Sequence, residues 1–125
     1  MPLRLTEEAF EELVVAALDG IPRSLLDMMN NIDVTVELRP TRRHMARLGL
    51  HHGTLLGLYE GVPLTERTSS YSLVVPDKIT IFQRPIENIC ETEDEVVAQV
   101  RTTVIHEVAH HFGIGEERLR ELGWS

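Results

Sequence analysis

Cysteine is almost missing from this 125-residue chain, since Cys90 is the only one. A single cysteine cannot form an internal disulfide, so nothing in the sequence points to an oxidising compartment. We interpret Cys90 as a small buried hydrophobe, in preference to a metal ligand or a nucleophile.

Basic residues are also scarce, with 12 Lys and Arg against 20 Asp and Glu and a net charge of −8. Binding to nucleic acid requires a dense positive surface. The one basic island, formed by Arg42, Arg43, His44 and Arg47, adjoins no aromatic residue on which a base could stack. We therefore expect no nucleic-acid partner and interpret the island as a solvated helix face.

Long apolar runs are missing as well. No stretch approaches the roughly 20 residues that a membrane-spanning helix needs. The N-terminal sequence MPLRLTEEAFEELV lacks the apolar region of a signal peptide. We expect no membrane partner and a cytoplasmic protein, and the length predicts that residues 1–125 form a single domain.

The apolar spacing predicts both helices and short strands. A helix over Glu7–Asp19 is capped by Thr6 and ended by Gly20, and a second short helix opens at Pro22. A strand at 34–38 precedes a helix at 41–49, with Met45 and Leu48 facing inward. Further strands are predicted at 54–62, 73–75 and 78–82. The expected fold class is α+β, with helices and a small sheet.

The longest predicted helix starts at a capping box, Thr92-x-x-Glu95, and ends near Gly113. At helical spacing it has one polar and one apolar face. The polar face contains Gln99, Thr103, His106, Glu107 and His110, and the apolar face contains Val97, Val100, Val104, Ile105, Val108 and Phe112.

The polar face contains the pattern His106-Glu107-x-x-His110. Residues four apart lie on the same side of a helix, so the two imidazoles can bind one zinc ion. Glu107 lies beside them, where it can act as general base on a water bound to that metal. The pattern predicts a zinc hydrolase, whereas ordinary hydrogen-bonded histidines on a buried helix are the disfavoured alternative.

A zinc site needs a third protein ligand. Gly113 allows the chain to turn back, and Glu116 occupies the position of the third His in the pattern H-E-x-x-H-x-x-G-x-x-H. Glu116 is therefore the expected third ligand, with the neighbouring Glu117 as a competitor. We expect the remaining histidines not to be ligands, with His44, His51 and His52 exposed and His111 packed beside the site.

Three segments carry a resemblance to a known family: HEVAHHFGIGEERLRELGW at 106–124, LLGLYEGVPLTER at 55–67 and DKITIFQRPIE at 77–87. Together they resemble a family of very short bacterial zincin-like metallopeptidases, the minimal metalloproteases. The resemblance implies an α+β zincin-like fold in which a small mixed sheet packs against the active-site helix. It also implies zinc at the positions of His106 and His110, with the position of Glu107 as the catalytic base.

The sequence departs from the metzincin pattern in two places. The third-ligand position is commonly Asp or another residue instead of His in the resembled family, and here it is Glu116. Only Gly123, Trp124 and Ser125 follow Leu122, so no methionine turn can be placed after the motif. We expect the site geometry to differ from that of full metzincins.

The expected function is a zinc-dependent peptidase with one Zn²⁺ ion and a peptide or protein substrate. Two alternatives remain open: a zinc hydrolase acting on a non-peptide bond, and a regulatory or binding module that retains the fold without general activity. The strand at 54–62 is expected either to bind substrate at a sheet edge or to lie inside the sheet. Four residues are equal candidates for stabilising the oxyanion: Tyr59, Tyr71, Arg118 and Arg120.

Overall fold

A computed structural model describes residues 3–48, 55–61 and 76–124 of the chain. The elements in these ranges are α1 (Glu7–Asp19), α2 (Arg23–Met28), β1 (Ile32–Glu37), α3 (Arg42–Leu48), β2 (Gly57–Glu60), β3 (Asp77–Phe82), α4 (Gln83–Asn88), α5 (Glu93–His111) and α6 (Glu116–Leu122). The predicted α+β class is confirmed. The first helix has the predicted bounds, and the hydroxyl of Thr6 accepts a hydrogen bond from the amide of Ala9 at 3.1 Å.

The described strands form a mixed three-stranded sheet in the order β1-β3-β2. Strand β1 pairs with β3 in parallel, with Ile32 opposite Asp77 and Glu37 opposite Phe82. Strand β2 pairs with β3 in antiparallel fashion, with Gly57 opposite Ile81 and Glu60 opposite Lys78. Among the described strands, β2 therefore lies at an edge of the sheet.

Helix α5 lies between helix α1 and the sheet. Its valines at 96, 100, 104 and 108 are buried, and they share one core with Phe10 of α1 and Ile79 of β3. Burying this apolar side on two elements at once holds the helix in place. The polar side of α5 is consequently presented next to β2.

Gly57 allows β2 to approach α5 closely. A Cβ atom built at Gly57 would lie 2.7 Å from the Cγ2 atom of Thr103 and 3.3 Å from the carbonyl oxygen of Thr80. Such distances are shorter than van der Waals contact, so a side chain at this position would push the strand away from the helix.

Two predictions for helix α3 are wrong, because the helix is rotated relative to the expected orientation. His44 was expected to be exposed but is 3% exposed, whereas Met45 was expected inward and is 50% exposed. The Nδ1 atom of His44 accepts a hydrogen bond from the amide of Thr41 at 3.0 Å, and the ring packs edge-on against Phe82. The contact with Phe82, together with the hydrogen bonds to Thr41, holds the histidine, and not the methionine, toward the sheet.

Phe112, expected on the apolar face of the long helix, is 43% exposed. Helix α5 ends at His111, and Phe112 is the residue that caps its C-terminus. Other predictions lie outside the described residues, namely those for the strand at 73–75, for Tyr71, for His51 and His52, and for the side chain of Leu48.

A buried carboxylate ties the N-terminal segment to helix α4. The side chain of Glu87 is completely buried and accepts hydrogen bonds from the amide of Leu5, from Nε2 of Gln83 and from the guanidinium of Arg84. Burial by itself would raise the pKa of Glu87, but these hydrogen bonds outweigh it and hold the pKa below its usual range.

In the part of the chain that the structure describes, no helix is both long and apolar enough to cross a membrane.

Candidate metal and catalytic site

The N-terminus of helix α5 is capped as the sequence predicts. The hydroxyl of Thr92 accepts a hydrogen bond from the amide of Glu95 at 3.1 Å, and Glu93, Asp94 and Glu95 lie in the first turn. The carboxylate of Glu95 in turn accepts from the amide of Glu91, one residue before the cap. Both features stabilise the start of the helix that carries the predicted site residues.

The C-terminus of helix α5 turns back at Gly113, as predicted. Gly113 has a φ of 73°, and two hydrogen bonds close the end, from Gly113 N to the carbonyl of His110 and from Ile114 N to the carbonyl of Ala109. This is the Schellman arrangement, which requires a left-handed residue and favours glycine. The turn redirects the chain so that α6 begins at Glu116, close to the side of α5 that carries His106.

Glu116 and His106 are in contact across this turn. Atom Oε1 of Glu116 lies 3.4 Å from Nε2 of His106, and both side chains are partly open to solvent. Ligand atoms at roughly 2.0–2.2 Å from a tetrahedral zinc ion lie about 3.4 Å from one another. The separation of these two atoms therefore fits that of two ligands of one zinc ion.

His110 follows His106 one helical turn later and is exposed. As the side chains stand, the described residues contain no group of three His, Cys, Asp or Glu side chains placed to hold a metal. The chemistry of the set His106, His110 and Glu116 nevertheless suits zinc, because two imidazoles and a carboxylate are common zinc ligands. His110 is exposed, so its side chain is free to adopt other rotamers.

Glu107 contacts the sheet through strand β2. Its Oε1 atom accepts a hydrogen bond from the backbone amide of Tyr59 at 3.0 Å. The contact joins the middle of the edge strand β2 to the predicted catalytic base. The approach that Gly57 allows, one turn of helix away at Thr103, is what makes this hydrogen bond possible.

A cluster of Tyr59, Asp77 and His111 lies beside Glu107 and was not predicted from the sequence. The hydroxyl of Tyr59 donates to Oδ2 of Asp77, and the same oxygen lies 3.7 Å from Nε2 of His111. The rings of Tyr59 and His111 are stacked with centroids 4.1 Å apart. The sequence signal for it was weak, an acid, Asp77, at the first position of strand β3.

The basic residues of α3 anchor β2 through Glu60. The side chain of Glu60 is 11% exposed and contacts the guanidinium of Arg43 at 2.5 Å and that of Arg47 at 3.3 Å. The hydrogen bond from Arg43 holds the pKa of Glu60 below its usual range, against the opposing effect of burial. The two arginines are more than half exposed, as predicted for a solvated face, but they also hold the end of the edge strand.

The structure separates the candidates for an oxyanion-stabilising residue. Tyr59 lies next to Glu107, whereas Arg118 pairs with Glu121 on the exposed side of α6 and Arg120 is exposed. Tyr71 lies outside the described residues. Of the three candidates that the structure describes, Tyr59 is the one that contacts the predicted base, through its backbone amide.

Cys90 is 4% exposed, as predicted. Burial, assisted by the charge of Glu95, raises the pKa of its thiol. A buried thiol of raised pKa agrees with the interpretation of Cys90 as a small buried hydrophobe.

Comparisons with known proteins agree with this fold. A sequence model of a family described as zincin-like metallopeptidase matches residues 29–124, which include helix α5 and the turn to Glu116. The solved structure of a conserved hypothetical protein from Thermo thermophilus is similar, with a TM-score of 0.52 and 24% sequence identity. The match covers 86% of this chain and 94% of that chain, and at this identity it concerns the fold alone. No curated protein sequence matches the chain.

Proposed function

Because the chain belongs to the family of zincin-like metallopeptidases, we propose that it is a zinc-dependent peptidase. His106, His110 and Glu116 would hold one zinc ion, and Glu107 would be the general base. The substrate would be a peptide or protein, bound across the polar side of helix α5. The single observation that carries the proposal is the 3.4 Å contact between Nε2 of His106 and Oε1 of Glu116.

The contact between His106 and Glu116 supports a shared metal because the local sequence gives no other reason for these two side chains to meet. Glu116 lies ten residues after His106 and reaches it only through the left-handed turn at Gly113. Two partly exposed groups of this kind gain little from pairing in water. A zinc ion bound by both groups would account for their contact. The exposed His110 lies one turn away on the same helix.

When bound, zinc would supply a water of lowered pKa and would polarise the scissile carbonyl. The carboxylate of Glu107 would accept the proton of that water and deliver it to the departing amine. The hydrogen bond from the amide of Tyr59 to Oε1 fixes the orientation of that carboxylate. A base that is already oriented needs little reorganisation during the reaction.

Strand β2 is the expected binding surface for the substrate backbone. It lies at an edge of the described sheet, and the amide of its Tyr59 contacts Glu107. An extended peptide can pair with such an edge through backbone hydrogen bonds, whatever its side chains are. The Arg43–Glu60 and Arg47–Glu60 pairs would keep the end of this strand in place during binding.

The proposal is tested by incubating zinc-loaded protein with a mixture of unstructured peptides and identifying products by mass spectrometry. Parallel incubations contain small amides, nucleotides and RNA. Cleavage of peptide bonds that stops on chelation and returns with zinc is the expected result. Turnover of a non-peptide substrate alone would replace the proposal by the non-peptide hydrolase alternative.

A binding module that retains the peptidase fold is the second candidate. The observation that favours it is that the described residues, as their side chains stand, contain no group of three gathered metal-binding side chains. Such a module would bind one partner and hydrolyse neither casein nor mixed peptides. Zinc bound in stoichiometric amount without hydrolysis of any peptide, together with a partner recovered by affinity purification, would support this candidate.

A further inference from the structure

A second feature adjoins His106. It is a cavity of about 280 Å³ enclosed by the end of helix α1, one side of helix α5 and the residues after α6. The residues of its lining that matter here are Gly20, Arg101, Thr102, Ile105, His106 and Trp124. The cavity therefore opens beside a proposed zinc ligand and extends toward the N-terminus of α5.

Arg101 provides the charge in this cavity. Its Nε atom donates to the carbonyl of Ala17 at 3.2 Å, which caps the end of helix α1. A guanidinium has five donor hydrogens, and this bond uses one of them. Among the described residues, no carboxylate forms an ion pair with Arg101, and no further hydrogen bond from it is made.

Gly20 makes room for the guanidinium. A Cβ atom at Gly20 would lie 2.3–2.5 Å from Nη2, Cζ and Nε of Arg101. Gly20 has a φ of −92°, which any residue can adopt, so its backbone conformation alone does not require glycine. The missing side chain instead allows the guanidinium to lie against the backbone, at the wall of the cavity.

The cavity is positively charged, whereas the chain as a whole is negatively charged. The protein carries a net charge of −8, yet the lining contains no Asp or Glu. Bidentate pairing with a carboxylate is the interaction for which a guanidinium is best suited. Along the helix, Arg101 and His106 are separated by a rise of about 7.5 Å, comparable to one extended side chain.

We propose that this cavity binds the carboxylate side chain of an acidic substrate residue next to the bond that is cleaved, with Arg101 as the specificity-determining residue. This inference rests on the proposed peptidase function and names the class of peptide that the site accepts. The aliphatic part of the glutamate or aspartate side chain would pack on Ile105 and Trp124, which line the same cavity. Arg101 would act on binding of the substrate and take no part in the proton transfers of Glu107.

The inference is tested first by binding, which does not depend on turnover. Zinc-loaded Glu107→Gln protein is titrated with two acetylated and amidated alanine-based octapeptides that differ only in a central Glu or Gln. A third peptide contains the Gln and a free C-terminal carboxylate. The Glu peptide should bind roughly tenfold more tightly than the amidated Gln peptide, and rising salt should reduce the difference. Tighter binding of the third peptide alone would assign the cavity to a chain terminus and overturn the inference.

Variants of the cavity residues then test whether the cavity causes the preference for the Glu peptide over the Gln peptide. Arg101→Gln should reduce the Glu-to-Gln ratio to about one, and the ratio is insensitive to any general loss of stability in the variant. Gly20→Ala should reduce it as well, because the added methyl displaces the guanidinium while its charge is kept. Arg23→Gln, which removes a charge on the exposed helix α2 nearby, should leave the ratio unchanged. An unchanged ratio in Arg101→Gln, or equal binding of both amidated peptides, would overturn the inference.

The same peptides separate the inference from the proposed function. Cleavage of the Glu and Gln peptides by the unmodified enzyme at equal kcat/KM would leave the peptidase proposal intact and reject the role of Arg101. Tighter binding of the Glu peptide without any cleavage would support the cavity and contradict the peptidase proposal. If neither peptide binds, the inference fails whatever the activity on other substrates.

Discussion

The backbone amide of Tyr59 donates a hydrogen bond to Oε1 of Glu107 at 3.0 Å. Tyr59 lies on strand β2, and Glu107 lies on helix α5, 48 positions later in the chain. An edge strand of the sheet is thereby joined to the residue that we propose as general base. The position of this carboxylate therefore depends on how closely β2 approaches the helix. Substitutions at Glu107 and Gly57 test the two sides of this contact.

Replacement of Glu107 by Gln should abolish hydrolysis while zinc binding is retained. The Gln side chain keeps an oxygen that can accept from the amide of Tyr59, so the local structure should persist. It cannot accept the proton of the attacking water, and the loss should be at least about a hundredfold in kcat/KM. The measurement is peptide cleavage alongside zinc content, with Glu93→Gln on the exposed first turn of the same helix as control. Unchanged turnover in Glu107→Gln would contradict the assigned role.

Replacement of Gly57 by Ala should destabilise the protein and impair the site. The added methyl would lie 2.7 Å from Cγ2 of Thr103, a short branched side chain with little freedom to move. Overpacking of this kind costs about 1–3 kcal/mol, more than the backbone entropy that Ala recovers. Urea unfolding gives the change in stability, and peptide cleavage should fall because Tyr59 moves with the strand.

The matched control for this variant is Gly61→Ala, just beyond the same strand. A Cβ at Gly61 would meet its nearest atoms at 3.7 Å, which is ordinary contact. Its effect on stability should be within about 0.5 kcal/mol. Equal effects of the two substitutions would show that the approach of β2 to α5 at Gly57 is not tight.

The elements of the fold were largely predictable because their signals are local. Thr6, Thr92 and Gly113 act within one turn of the helices that they begin or end, so their chemistry can be read from a few neighbouring letters. The orientation of α3 was not predictable in this way. His44 replaces Met45 as the buried residue because of Phe82, which is distant in sequence.

The residues of the site were likewise predictable where their signals were local. His106, Glu107 and His110 were candidates because helical spacing relates them, and Glu116 because a helix-ending glycine precedes it. The partners that come from the sheet, the amide of Tyr59 and the carboxylate of Asp77, required knowledge of the strand pairing. Arg101 was not singled out, because its cavity is formed by three segments that only the tertiary fold brings together.

Replacement of Glu87 by Gln should lower stability at neutral pH by about 1–3 kcal/mol. The amide of Gln would place donor hydrogens against the donors of Leu5, Gln83 and Arg84. The folded-state pKa of Glu87 is lowered, so its ionised form contributes stability above the unfolded pKa near about 4. That contribution is lost as the pH falls through the lowered pKa.

The pH dependence of this variant is measured by urea unfolding at pH 7 and pH 3. The difference in the free energy of unfolding between wild type and Glu87→Gln should be smaller at pH 3. Glu11→Gln, at an exposed position of α1, should show no comparable change with pH. A difference of equal size at both pH values would contradict the ionised, hydrogen-bonded state of Glu87.

Replacement of Gly113 by Ala should weaken zinc binding as well as stability. Gly113 has a φ of 73°, and a side chain in this region costs about 1–2 kcal/mol. Relief of that strain would move the start of α6 and separate Glu116 from His106. Gly123, at the end of α6, has a φ of 75° and provides the control, since Gly123→Ala introduces similar strain away from Glu116. Both variants should lose similar stability, and only Gly113→Ala should bind zinc more weakly.

We propose that His106, His110 and Glu116 bind one zinc ion, and the zinc content of the purified protein tests this most directly. Elemental analysis of the zinc-equilibrated and dialysed protein should give one equivalent of zinc per chain. His106→Ala and Glu116→Ala should each contain far less, whereas Glu117→Ala should match the wild type. The absence of stoichiometric zinc in the unmodified protein would contradict the account. Full occupancy in His106→Ala would place the metal elsewhere.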